Sequence, residues 1–102
     1  MKDKAVALAY DHAGAPKVVA KGSGHVARKL IEHAIEYGIP IQRNEILVET
    51  LLEVNLGEEI PPQLYQVVAE LLAFIYQLDQ SAKELKHKVG DGGSNYKGLI
   101  HD

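Results

Sequence analysis

The sequence predicts an α/β fold: one domain with a small mixed β-sheet wrapped by about three main helices. Three observations predict it. The stretch "AVALAY" alternates alanines with larger apolar residues, which is strand periodicity. "KVVAKG", "SGHVARKLIEHAIEYG" and "IPIQ" follow as strand, helix and strand. "LYQVVAELLAFIYQL" carries a broad apolar stripe at helical spacing. A length of 102 residues allows one core and leaves no room for a second.

The elements follow in chain order. Val6, Leu8 and Tyr10 share one face of the first strand, and Ala5, Ala7 and Ala9 the other. "DHAGAP" is a turn. "VVA" centres the second strand. In the first helix Val26, Leu30, Ile31, Ala34 and Ile35 fall on one face, with Ser23 as the expected N-cap and Gly38 as the stop. Pro40 suits the start of an edge strand. A strand–helix–strand unit makes the second and third strands parallel. "EILVETLLEVN" reads as a short helix with Leu47, Leu51 and Val54 inward and Glu45, Glu49 and Glu53 outward. The last helix is expected from Pro62 to about Gln80, packed through Leu64, Val67, Val68, Leu71, Leu72, Ile75 and Leu78. Residues 1–80 are thus the expected folded domain. Residues 81–102 are expected as a helix extension and a disordered tail, because "VGDGGSNYKGLIHD" is rich in glycine and shows no periodicity.

Composition narrows the function classes. Net charge is −3, with no basic stripe, so non-specific nucleic-acid binding is disfavoured. With no cysteine there is no thiolate metal site and no thiol nucleophile. No apolar segment is long enough to cross a bilayer comfortably, and no secretion signal is visible. His25 and His33 stand two helical turns apart, about 12 Å, too far for one zinc ion to take both easily. His12, His87 and His101 join no ligand pattern. The Glu45, Glu49 and Glu53 ladder is a solvated face, because acid–base pairs need opposed carboxylates in unlike environments. No serine sits in a nucleophile motif. The expectation is no catalytic residue, no metal and no cofactor. One small-molecule alternative stands: an anion or phosphate site on the strand-to-helix turn, formed by Lys21, Ser23, Gly24, His25 and Arg28. Against it, the turn matches no phosphate-loop glycine pattern.

"AVALAYD…APKVVAKG", "YGIPI" and "LGEEIPPQLYQVVAELLAFIYQL", in that order and spacing, resemble the cytoplasmic C-terminal domain of the FlhB/YscU proteins of type III secretion. The resemblance covers Ala5 to Leu78 and is most specific at Gly57–Tyr76 and Ala15–Gly22. It implies a small sheet wrapped by helices. It also implies an Asn-Pro-Thr-His motif before the first strand, where such chains cleave themselves, and a further strand before that motif. "MKDK" stands in its place, and Asn-Pro-Thr-His occurs nowhere in the sequence. The resemblance therefore implies a stand-alone, non-cleaving module that binds export-apparatus proteins or secreted substrates, a truncated FlhB relative among them. It would act in the cytoplasm, peripherally at the membrane export gate, without inserting in the membrane or binding nucleic acid. Without the preceding strand, the first strand is expected to expose an open edge over Lys4, Ala5, Val6, Ala7, Leu8, Ala9 and Tyr10. A homodimer through that edge is the structural alternative.

Overall fold

In a computed structural model of the chain, the residues described are 3–10, 14–71, 73 and 96–102. Strands β1 (Lys4–Tyr10) and β2 (Lys17–Ser23) precede helix α1 (His25–Glu36), strand β3 (Ile41–Arg43) and helix α2 (Glu45–Leu51). A 3-10 turn at Pro62–Leu64 leads into helix α3, residues 65–71, and strand β4 (Tyr96–His101) follows. The four strands form one mixed sheet in the order β2-β1-β4-β3. β1 is antiparallel to both neighbours, and β3 runs parallel to β4.

Alternation in β1 divides the core. The alanine face meets α1: Ala5, Ala27, Ala34 and Leu99 are buried together, with Ala7, Leu30, Ile31, Ile39 and Ile41 packed around them. Small side chains let the helix lie close to the sheet. Gly22 carries this furthest, since a Cβ there would come within 2.3 Å of Val26 Cγ1. The other face holds the larger core of Val6, Leu8, Val18, Leu47, Val48, Leu51, Ile60, Val68 and Ile100, against α2 and α3.

Local chemistry fixes the helix ends. Gly38 has φ 69° and follows α1. Ile39 N–H donates to Ala34 O at 2.8 Å and Gly38 N–H to Ile35 O at 3.3 Å, the paired bonds of a Schellman stop. At α2, Asn44 Oδ1 accepts from Leu47 N–H at 3.0 Å, satisfying a free amide of the first turn. Beyond the helix, the Lys21 ammonium donates to Leu52 O at 2.9 Å and Val54 O at 2.7 Å. Residues 57–60 run along the outer side of β2. There Val18 N–H donates to Glu58 O, Gly57 N–H to Val18 O and Ile60 N–H to Pro16 O.

Several expectations change. β2 and β3 do point the same way, but β1 and β4 lie between them. Ser23 does not cap α1: it closes β2 opposite Lys4, and Gly24 takes the N-cap with φ 61°. The inward face of α1 centres on Ala27 and Ala34, leaving Val26 and Ile35 exposed. Val67 is exposed on α3, where Val68 is the buried residue and Leu64 and Leu71 pack beside it. Leu72, Ile75 and Leu78, with the remainder of the expected helix to Gln80 and its extension through residue 95, lie outside the described residues. The largest change is at residues 96–101, expected as tail. They form β4, because "YKGLIH" supplies apolar residues to both faces of the sheet at once.

Candidate functional site

β1 was expected to offer an unpaired edge at Lys4–Tyr10. It is instead interior to the sheet, with β2 on one side and β4 on the other. The β1–β4 ladder pairs Ala5 with His101, Val6 with Ile100, Ala7 with Leu99, Leu8 with Gly98, Ala9 with Lys97 and Tyr10 with Tyr96. Directly opposed residues share a face, so Ile100 joins Val6 in the larger core and Leu99 joins Ala7 under α1. Both are buried, as is Gly98 opposite Leu8.

Hydrogen bonds lock the ladder at the Lys4 end. Lys4 N–H donates to Asp102 Oδ1 at 3.0 Å, and Asp102 N–H donates to Lys4 O at 3.2 Å. The Lys4 ammonium also pairs with Glu49 of α2. That hydrogen bond raises the Lys4 pKa above the usual lysine value; desolvation opposes it, and smaller attractions to the charges of Glu49, Asp102 and Glu45 add to it. On the other side of β4, Leu99 N–H donates to Pro40 O at 2.9 Å and Asn44 N–H to His101 O at 2.7 Å.

Two residues of the anion-site alternative, Lys21 and Arg28, face other groups. Lys21 turns its ammonium toward the carbonyls after α2. Arg28 Nε faces Asp3 Oδ2 at 3.6 Å, and Gly24 N–H donates to Asp3 O at 2.7 Å. Asp3 thus lies beside the start of α1, its carboxylate facing Arg28 and its main-chain carbonyl accepting from Gly24. Among the described residues no group of three His, Asp or Glu is placed to hold a metal. His33 packs against Tyr37, with ring centroids 4.4 Å apart and the planes tilted by 45°. Beside β3, the terminal strand among those described, Gln42, Asn44, Leu47, Val67, Glu70 and Leu71 line an open hollow of about 410 Å³.

The FlhB HrpN YscU SpaS family model matches residues 2–75. The chain belongs to this family. Its match takes in β1, β2, α1, β3, α2 and α3, and it ends before β4 begins. The chain is 47% identical over 85 residues to the uncharacterized protein YlqH of Bacillus subtilis (strain 168), covering 81% of this chain and 91% of that one. It is 43% identical over 74 residues to the flagellar biosynthetic protein FlhB of Aquifex aeolicus, covering 70% of this chain and 21% of that one. With FlhB of Escherichia coli (strain K12) the identity is 45% over 76 residues, covering 72% of this chain and 20% of that one. The chain therefore spans about a fifth of the FlhB proteins it matches. Among the described residues no helix is long and apolar enough to cross a membrane.

β4 is the strand that the sequence reading missed. Its signal was present: a β-prone run, "YKGLI", directly follows the turn-rich "GDGGSN".

Proposed function

We propose that the chain works in type III protein export, on the flagellar side, as a non-cleaving counterpart of the FlhB cytoplasmic C-terminal segment. It binds export-apparatus proteins or their substrates at the cytoplasmic face of the membrane and influences which substrates are passed. The observation that carries this reading is the family match over residues 2–75, which takes in a run of elements from β1 to α3 and every buried residue of both core clusters except Leu99 and Ile100. Recognition rather than catalysis is the role in view, since the self-cleavage motif implied by the resemblance does not occur in the sequence. Lys21's engagement with the carbonyls after α2 weighs against the anion-binding alternative. β4 likewise weighs against a homodimer through a free β1 edge.

The test is replacement. In a flagellated bacterium, FlhB is shortened by the segment that corresponds to residues 2–75, and the intact chain is co-expressed. Partial return of flagellar protein export, with cross-linking of the chain to the shortened FlhB, is expected. A well-expressed, folded chain that cross-links to no export component and returns no export would sink the proposal.

A further inference from the structure

The residues that match the family supply β2, β1 and β3, and these do not make a continuous sheet. β1 and β3 are each paired to β4 and not to each other. Two strand spacings separate them, about 10 Å. The matched segment alone therefore leaves a gap one strand wide, lined on one side by the amides and carbonyls of β1 and on the other by those of β3. In this chain a segment from outside the match fills it, joined through the 22 residues 74–95.

Longer relatives share the frame at 43–45% identity. The same frame brings the same gap, so a relative must fill it with a strand of its own from outside the matching segment. Buried amides and carbonyls along β1 and β3 would otherwise go unpaired. A strand fitted to that gap has defined chemistry. It carries a small residue opposite Leu8, as Gly98 is here, an apolar residue opposite Ala7, as Leu99 is, and a β-branched apolar residue opposite Val6, as Ile100 is.

We infer that the space between β1 and β3 is a strand-acceptor site, that β4 is its resident occupant, and that an extended small–apolar–apolar segment of a partner chain enters by displacing β4. Pairing by main-chain hydrogen bonds makes the exchange nearly neutral in backbone terms, so the side chains opposite Leu8, Ala7 and Val6 decide which strand stays. Bringing in a strand from another molecule is favoured when the resident strand fits less well or the partner is held nearby at high local concentration. The partner's identity as an export-apparatus relative rests on the proposed function; the acceptor property does not.

The acceptor property is tested with a synthetic peptide of residues 94–102, SNYKGLIHD, and no export component. The protein is the full chain, unaltered or carrying Ile100→Asp, which sets a carboxylate against Val6 and weakens the resident strand while leaving β1 and β3 unchanged. In isotope-labelled protein, the peptide should shift the amides of β1 and β3 and bind Ile100→Asp at least about tenfold more tightly than the unaltered chain. A scrambled peptide should do neither. Where Ile100→Asp is unfolded by itself, the readout is return of the folded spectrum on adding the peptide. A peptide that neither shifts β1 nor refolds the variant overturns the inference. Loss of export replacement with intact peptide exchange would sink the proposed function alone.

Discussion

β2 and β4 flank β1 on opposite sides and pair with it over nearly the same length. They differ in how they reach that position. β2 follows β1 after a short turn, so its pairing is local, and it lies within the family match. β4 arrives after the entire rest of the domain and lies outside the match. Their chemistry differs as well. β2 carries a bulge at Val19, where Ala7 pairs with Ala20 and Leu8 with Val18, and only Val18 is buried in its first half. β4 buries Gly98, Leu99 and Ile100 in succession, as an interior strand covered on both faces does. The contrast teaches that the strand easiest to find by proximity is not the one that unites the two sides of the core.

The strongest way to break this comparison is to remove β4. Deleting residues 96–102 uncovers Val6 and Leu8 and parts β1 from β3. The expected loss exceeds ~5 kcal/mol, on the scale of a whole domain's stability. Circular dichroism melting should show the cooperative transition gone or its midpoint sharply lowered. A near-normal melt would mean that β2, β1 and β3 close up without β4.

Single residues sharpen it. Ile100→Ala should cost ~2–5 kcal/mol, because Ile100 is fully buried in the larger core. Val18→Ala in β2 should cost less, ~1–3 kcal/mol, since it removes fewer buried methyl groups. Stopped-flow kinetics should also separate the two. Val18→Ala should slow folding, because the local β1–β2 pairing forms early, while Ile100→Ala should chiefly speed unfolding. If both act on the same rate, local and distant pairing form together.

Legibility in the sequence followed the same division. The alternation of Val6 and Leu8 with Ala5 and Ala7 announced both faces of β1, and Gly38 announced the end of α1. Leu47 and Leu51 were readable from helical spacing. These are signals between neighbours a few residues apart. The position of β4 depends on pairing between residues nearly the full chain apart, such as Ala5 with His101, for which no short window holds a signal. Ser23 failed as an N-cap because Lys4 claims it for the ladder, a tertiary demand that overrides local preference. The partners of Lys21 were hidden for a similar reason: the chain just after α2, far along the sequence, presents carbonyls to it.

A smaller effect tests the tight side of β2. Gly22→Ala should cost ~1–3 kcal/mol, because the new Cβ would stand 2.3 Å from Val26 Cγ1 and 2.8 Å from its Cβ. Chemical denaturation reads it, and the double change Gly22→Ala with Val26→Ala should recover part of the loss. The smallest effect concerns the Lys4–Glu49 pair. Because its pKa is raised, Lys4's contribution is complete below the ordinary lysine range and is lost as pH rises through the raised value. The melting difference between the unaltered chain and Glu49→Gln should therefore be small at neutral pH and vanish in strong alkali. A gap that widens with alkalinity would contradict that sign.

The run of residues 57–60 along β2 bears on how the protein behaves in a crowded solution. A bare β rim is an invitation to endless growth, each copy adding to the last. Here Glu58, Gly57 and Ile60 spend their main-chain groups on Val18 and Pro16, and Glu59 bridges to Lys17. The rim is closed there by a stretch of chain that carries two carboxylates outward, and the opposite rim, β3, is three residues long. Neither rim is a good seed for stacking. For this sheet, gaining a strand from another molecule means trading one inside rather than lengthening the ribbon, so the protein can be a receptive partner without becoming the start of a fibre.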